Sequence, residues 1–174
     1  MVILHLLAGR NRKAYTTGTT KTGNLNGMLH VLHDFGKLVY LAVSRLLDHE
    51  AGRIFFIALA GAAGTLARYW MSGGVNKACG IGFPWGTVSV NLAGCFFFGL
   101  VWTLSTDRAL ISPAVRTILL IGFMGGLTTF SSLAGDTMGL LREAQYLRAI
   151  ANIALQNTAG LALLWLGIVT GRVL

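Results

Sequence analysis

Charge is what this 174-residue chain has least of: only 11% of its residues are Asp, Glu, Lys or Arg. Soluble domains carry about 25%, so the material for a water-facing surface is missing. Hydrophobic residues make up 54% of the chain and the mean hydropathy is +0.65. Acid is scarcer still, with six Asp and Glu against fourteen Lys and Arg. The basic residues flank apolar stretches instead of forming a patch, which argues against nucleic acid as the partner and for anionic lipid headgroups. The two cysteines, Cys79 and Cys95, show no metal-type spacing. All four histidines (His5, His30, His33 and His49) precede the first apolar span; His30 and His33 read as a solvated or interfacial pair. Asp136 and Glu143 stand as isolated carboxylates. A membrane enzyme needs a His, Cys or paired-acid cluster, so no catalysis is expected.

What the chain does contain is four long apolar stretches, at about 54–71, 84–105, 115–141 and 150–170. Each is close to the roughly 20 residues a helix needs to cross the hydrocarbon core. The intervening connections, 72–83, 106–114 and 142–149, are short. Short connections join antiparallel neighbours, so an all-α, integral-membrane, up-down-up-down four-helix bundle is predicted, with both ends on one side.

Residues 1–50 form an extension ahead of this transmembrane domain (51–174). The start, MVILHLLAGRNRK, puts its basic cluster after the short apolar run, the wrong order for a secretory signal. Leu32, Phe35, Val39, Ala42 and Leu46 recur three or four apart, with Lys37, Ser44 and Asp48 largely elsewhere. That spacing predicts an interfacial amphipathic helix over 28–49. A fifth span is the alternative, and it would need partners in lipid for Asp34, Lys37 and Arg45.

Polar groups inside the spans need a reason to be there. The first span places Gly61, Gly64 and Arg68 on one helical face, where small residues admit a neighbouring helix and Arg68 can either snorkel to the interface or line a vestibule. In the second, Thr87, Asn91, Gly94 and Phe98 share a face, and Asn91 either joins helices or meets a pore. The third carries GFMGGLTTFSS (122–132), three glycines and four hydroxyls at mid-bilayer. Gly125-Gly126 is a poor helix interior, at about 1 kcal/mol per Gly relative to Ala. A break is expected there, its carbonyls pointing at a bound cation. In the fourth, Asn152, Gln156 and Gly160 form a stripe, with Asn157 and Thr158 beside it.

Read together, GAAGTLARYW (61–70), GTVSVNLAGCFFFG (86–99) and GFMGGLTTFSSLAGD (122–136) resemble the signature stretches of the Fluc fluoride channels, also known as camphor-resistance proteins. The resemblance covers about residues 54–174. It implies a dual-topology dimer of two four-helix subunits in opposite orientations, as a homodimer or with a paired homologous subunit. It also implies a broken third helix, two narrow fluoride pathways and a structural Na⁺ between the breaks. By matching position, the backbone carbonyls of Gly125 and Thr128 would hold the Na⁺. Asn91, Thr129, Phe130 and Ser131 would line the fluoride pathway, with Gln156 and Thr158 on a polar track and Arg68 in a structural or vestibule role. Where the family commonly has a second phenylalanine, this chain has Leu133, and Asp136 stands where a glutamate is common.

The resemblance implies a passive channel that exports cytoplasmic fluoride across a bacterial inner or plasma membrane. A small accessory subunit without transport of its own is the alternative. At the ends of the spans, Arg53, Arg108, Arg116 and Arg172 face Lys77, Arg142 and Arg148. Four against three is too small a bias to fix one orientation.

Overall fold

The computed structural model describes residues 22–174. The chain divides into two units, residues 1–43 and 44–174. The first contains most of α1 (Thr22–Asp48), a single helix that meets the predicted amphipathic segment. Met28, Leu32, Phe35, Val39 and Leu46 on it are exposed.

The second unit is the predicted bundle. Among the described residues, four helical stretches are long and apolar enough to cross a membrane: α2 (Glu50–Cys79), α3 (Trp85–Thr106), a composite third span over Pro113–Arg142, and α7 (Tyr146–Val173). Three of these spans are longer than their apolar stretches, and α3 matches its stretch in length. The largest difference is in α2, which continues two turns beyond Met71 through the sequence SGGVNKAC and ends at Gly80 (φ 81°). Tertiary contact outweighs the helix-weakening glycines there, because Asn76 Oδ1 accepts the Gly86 N–H at 2.8 Å and so caps the start of α3. This is the work an N-cap side chain does, and it needs α2 to remain helical as far as Asn76.

The third span is assembled from pieces. Ser112 accepts the Val115 N–H and Pro113 opens α4 (Pro113–Thr117), which widens into a π-helical stretch (Ile118–Met124) and closes with one α turn, α5 (Gly125–Leu127). Thr128 and Thr129 are extended (φ −89°, ψ 157° and φ −155°, ψ 114°) before α6 (Phe130–Arg142) begins. The break is therefore present within the expected stretch 122–132. Gly125 and Gly126 are helical, and the two threonines carry the interruption.

Of the two glycines, Gly126 serves packing. A Cβ on Gly126 would collide with the Gly61 carbonyl oxygen, and one on Gly64 with that of Phe123. The first half of the third span thus lies backbone against backbone along α2, as small residues permit. A second seam joins α3 to α7, where Gly99 faces the Leu164 carbonyl and Gly167 that of Phe96. Residue numbers rise together along both seams, so both pairs run parallel. Sequential spans are antiparallel, as predicted; the tightest packing joins alternate ones. Polar ties at both ends agree: Arg148 donates to the Gly82 carbonyl where α3 and α7 begin, and Arg108 to the Arg172 carbonyl where they end.

Candidate functional site

The second and third signature stretches interlock at the break. Gly94 has no side chain because the Thr128 γ-methyl occupies the position a Cβ would take. One turn earlier, Asn91 clasps the next residue from both sides: its Oδ1 accepts the Thr129 N–H at 2.7 Å, and its Nδ2 donates to the Thr129 carbonyl at 3.1 Å. A VN-x-x-G on α3 and a T-T in the third span are two halves of one joint. The asparagine supplies the backbone bonds that the interrupted helix has lost, which buried peptide groups require.

The interruption redirects two further groups. In a continuous helix the Thr129 N–H would serve the Gly125 carbonyl and the Ser132 N–H the Thr128 carbonyl. Here the first goes to Asn91 and the second to Thr129 Oγ1, 3.1 Å away, which caps α6. The carbonyls of Gly125 and Thr128 are thereby released from helical service. Nothing lies within 4 Å of a Cβ built on Gly125, so that face of the span is open.

From Asn91 a chain of hydrogen bonds runs inward. Asn91 Nδ2 donates to Gln156 Oε1 (2.7 Å), Gln156 Nε2 to Asn152 Oδ1 (2.8 Å), Asn152 Nδ2 to Thr137 Oγ1 (3.0 Å), and the Thr137 hydroxyl to the Leu133 carbonyl (2.7 Å). Asn152 is fully buried, and Gln156 and Thr137 nearly so. The chain ties α3, α7 and α6 together, and each link is an unpaired buried polar group if its partner is lost. Toward one end of the bundle, Thr87 donates to Asp136 Oδ2 at 2.6 Å. Around that pair lies a polar recess of about 350 Å³, bordered by Asn76, Pro84, Glu143 and Gln145.

A groove of about 350 Å³ opens over the joint, lined by Asn91, Gly94, Cys95, Phe98, Met124, Thr128, Thr129, Phe130, Leu133, Gln156, Asn157 and Leu164. It holds no charged side chain. Phe130 projects from it, 79% exposed, while Leu133 is buried in its wall. Of the residues singled out in the sequence, Asn91, Thr128, Thr129, Phe130 and Gln156 come together here. Ser131 is exposed at the rim, its hydroxyl 3.1 Å from that of Thr129. Three others stand apart. Thr158 is exposed and returns its hydroxyl to the Ala154 carbonyl one turn back. Arg68 is half-buried on α2 and does not border the groove. Gly125 lies next to the groove, on the span's open face. Thr137 escaped the sequence reading, although it shares a helical face with Thr129 and Leu133 at i, i+4 and i+8.

Residues 55–168 match the family model described as CrcB-like protein, Camphor Resistance. The chain is 50% identical over 122 residues to the fluoride-specific ion channel FluC of Solidesulfovibrio magneticus, an alignment covering 70% of this chain and 98% of the relative. It is 45% identical to FluC of Nitrosococcus oceani and 47% to that of Desulforapulum autotrophicum, with the same coverage in both cases.

Proposed function

The chain belongs to the CrcB-like family, and on that premise we propose that it is a passive, fluoride-selective channel of a bacterial cell membrane that releases cytoplasmic fluoride. The observation that carries the reading is the Asn91–Thr129 joint. It sets amide donors, hydroxyls and an exposed phenylalanine around one uncharged groove at the middle of the bundle.

The donor chemistry suits a small, strongly hydrated anion. Asn91 gives both amide hydrogens to neutral protein acceptors, the Thr129 carbonyl and Gln156 Oε1, and a fluoride ion, the stronger acceptor, displaces one of them. The exposed Phe130 ring offers its positive edge. No Lys or Arg lines the groove, so binding stays weak enough for the ion to leave. Phe98 borders the same groove as Leu133 and supplies an aromatic wall where the second phenylalanine is missing. A membrane potential contributes about 2.3 kcal/mol per elementary charge per 100 mV, so an interior-negative cell expels the anion without an energy-coupling site.

The functional unit we propose pairs this chain with a second copy, or a homologous subunit, in the opposite orientation. The near-even charge at the two ends of the bundle and the open face at Gly125 support that arrangement. The carbonyls of Gly125 and Thr128, freed of helical donors, fit a small hard cation, and the pair would hold a structural Na⁺ between the two breaks. When bound, the cation neutralises converging carbonyl dipoles. No observation favours the accessory-subunit reading.

Liposomes containing only the purified protein test the proposal. Fluoride efflux with chloride retained is the expected result, and assembly should be more heat-resistant in sodium than in potassium. Absence of fluoride efflux from folded, reconstituted protein overturns the channel reading. Equal stability in the two salts overturns the cation site alone.

A further inference from the structure

Phe98 borders a second hollow as well as the groove. The α3–α7 seam brings Gly99 against the Leu164 carbonyl, and the larger side chains around it, Phe98, Trp102, Leu164 and Ile168, border a slot of about 210 Å³. We propose that this slot binds an anionic diacyl phospholipid, with one acyl chain in the slot and the phosphate on the Arg116 guanidinium. The proposal rests on the membrane-spanning bundle and not on what the bundle conducts.

The slot lies at the depth where a lipid changes from chain to headgroup. Trp102 is four residues before the end of α3 at Thr106, and Ile168 five before the end of α7 at Val173. At about 1.5 Å per residue, both are roughly 6–8 Å inside the same end of the bundle. Arg116 belongs to the first turn of the third span, which starts at that end. Its guanidinium lies over the Trp102 ring, 5.4 Å from the centroid, and the Trp102 and Phe98 rings stack with centroids 6.2 Å apart and planes 11° from parallel. An exposed aromatic wall thus runs from the cation toward the hydrocarbon core. Indole rings favour this level of a membrane, with the ring body among the chains and the N–H toward the headgroups. Gly99, Leu164 and Ile168 complete the lining, so water finds no partners there and a hydrocarbon chain fits.

Charge selects the headgroup. Arg108 donates to the Arg172 carbonyl, and Arg172 lies 3.6 Å from Asp107. Among the described residues no carboxylate pairs with Arg116. A copy in the opposite orientation would bring alongside an end that is itself net basic, Lys77, Arg142 and Arg148 against Asp136 and Glu143, so the counter-charge falls to the lipid. A guanidinium meets a phosphate through paired hydrogen bonds, and a headgroup of net negative charge brings no ammonium to oppose it. Two copies in opposite orientations present one slot to each leaflet, so the site takes a lipid that both leaflets supply.

Quenching of Trp102 fluorescence in the full-length chain tests this. The other tryptophans, Trp70, Trp85 and Trp165, are exposed and are replaced by Phe. The protein is reconstituted in phosphatidylcholine containing a small mole fraction of phosphatidylglycerol brominated on its acyl chains. Quenching should exceed several-fold that given by the same fraction of brominated phosphatidylcholine, each relative to its unbrominated control. Arg116→Gln should bring the two lipids to equal quenching. Ile168→Phe, which fills the slot, should likewise remove most of the excess. Equal quenching by the two lipids in the chain that keeps Arg116 and Ile168 overturns the site, and so does an excess that survives either substitution. No quenching by either lipid also overturns it, because a second copy then covers the slot. Relief of the excess by soluble inorganic phosphate overturns the lipid assignment, because Arg116 then binds a bare anion.

Discussion

The two halves of the third span are held by opposite means. Its first half, over residues 118–127, lies along α2 through glycine contacts in which main chain meets main chain. Its second half, from Phe130 to Arg142, is held by polar side chains: Thr87 on Asp136, Asn152 on Thr137, and Asn91 at the joint. Close backbone packing resists displacement but offers an ion nothing. Hydrogen-bonding side chains hold a helix and can also exchange partners. The break lies where one regime gives way to the other, which places mobile donors beside a rigid support. Substitutions in the two halves should therefore fail in different ways.

The largest effect is expected in the rigid half. Gly126→Val sets a branched side chain against the Gly61 carbonyl and the Thr65 N–H of α2, both main chain and unable to rotate away. Overpacking typically costs about 1–3 kcal/mol where side chains can yield, and more is expected where the obstacle is backbone. The variant should give little or no folded protein on size-exclusion chromatography in detergent. A normal yield with normal melting would show that the α2 seam does not support the span.

At the joint itself a moderate effect is expected. Asn91→Leu leaves the Thr129 N–H, the Thr129 carbonyl and Gln156 Oε1 without their partner. An unsatisfied buried group costs about 1–3 kcal/mol, and partial exposure of the joint moderates this. Folded protein should be recovered with a lower melting temperature, and fluoride efflux should fall at least tenfold. A variant that conducts normally would place Asn91 outside the ion's path.

Much of this design can be read from residue types and spacing. Four spans followed from apolar length alone, and the face containing Thr87, Asn91, Gly94 and Phe98 is the one α3 turns to the site. The break falls inside the stretch 122–132 that the sequence marks, at its threonines and not at the glycines of low helix propensity. Gly125 and Gly126 are helical since Gly126 is needed for contact with α2, and contact between distant segments leaves no local signature. The threonines that do break the helix are β-branched hydroxyl residues, tolerated in extended backbone, and Asn91, the partner of Thr129, lies 38 residues away. The Thr137–Asn152 bond was hidden for the same reason: each residue has an ordinary helical position, and only the bundle brings them together.

Thr158 gives the smallest expected effect and the sharpest contrast with its neighbour Gln156. The two residues are two apart on α7 and so point in different directions, about 200° apart around the helix. Gln156 is buried in the hydrogen-bonded chain, whereas Thr158 is exposed and spends its hydroxyl on the Ala154 carbonyl. Such a back-bond competes weakly with helical pairing and adds no tertiary contact. Thr158→Ala should leave the melting temperature within about a degree of the native value, consistent with a surface change of no more than about 0.5 kcal/mol. Fluoride efflux should be unchanged as well. A marked loss of flux with unaltered melting would mean that the Thr158 hydroxyl meets the ion on a face this subunit leaves exposed, and the polar track would then extend beyond the groove around Asn91.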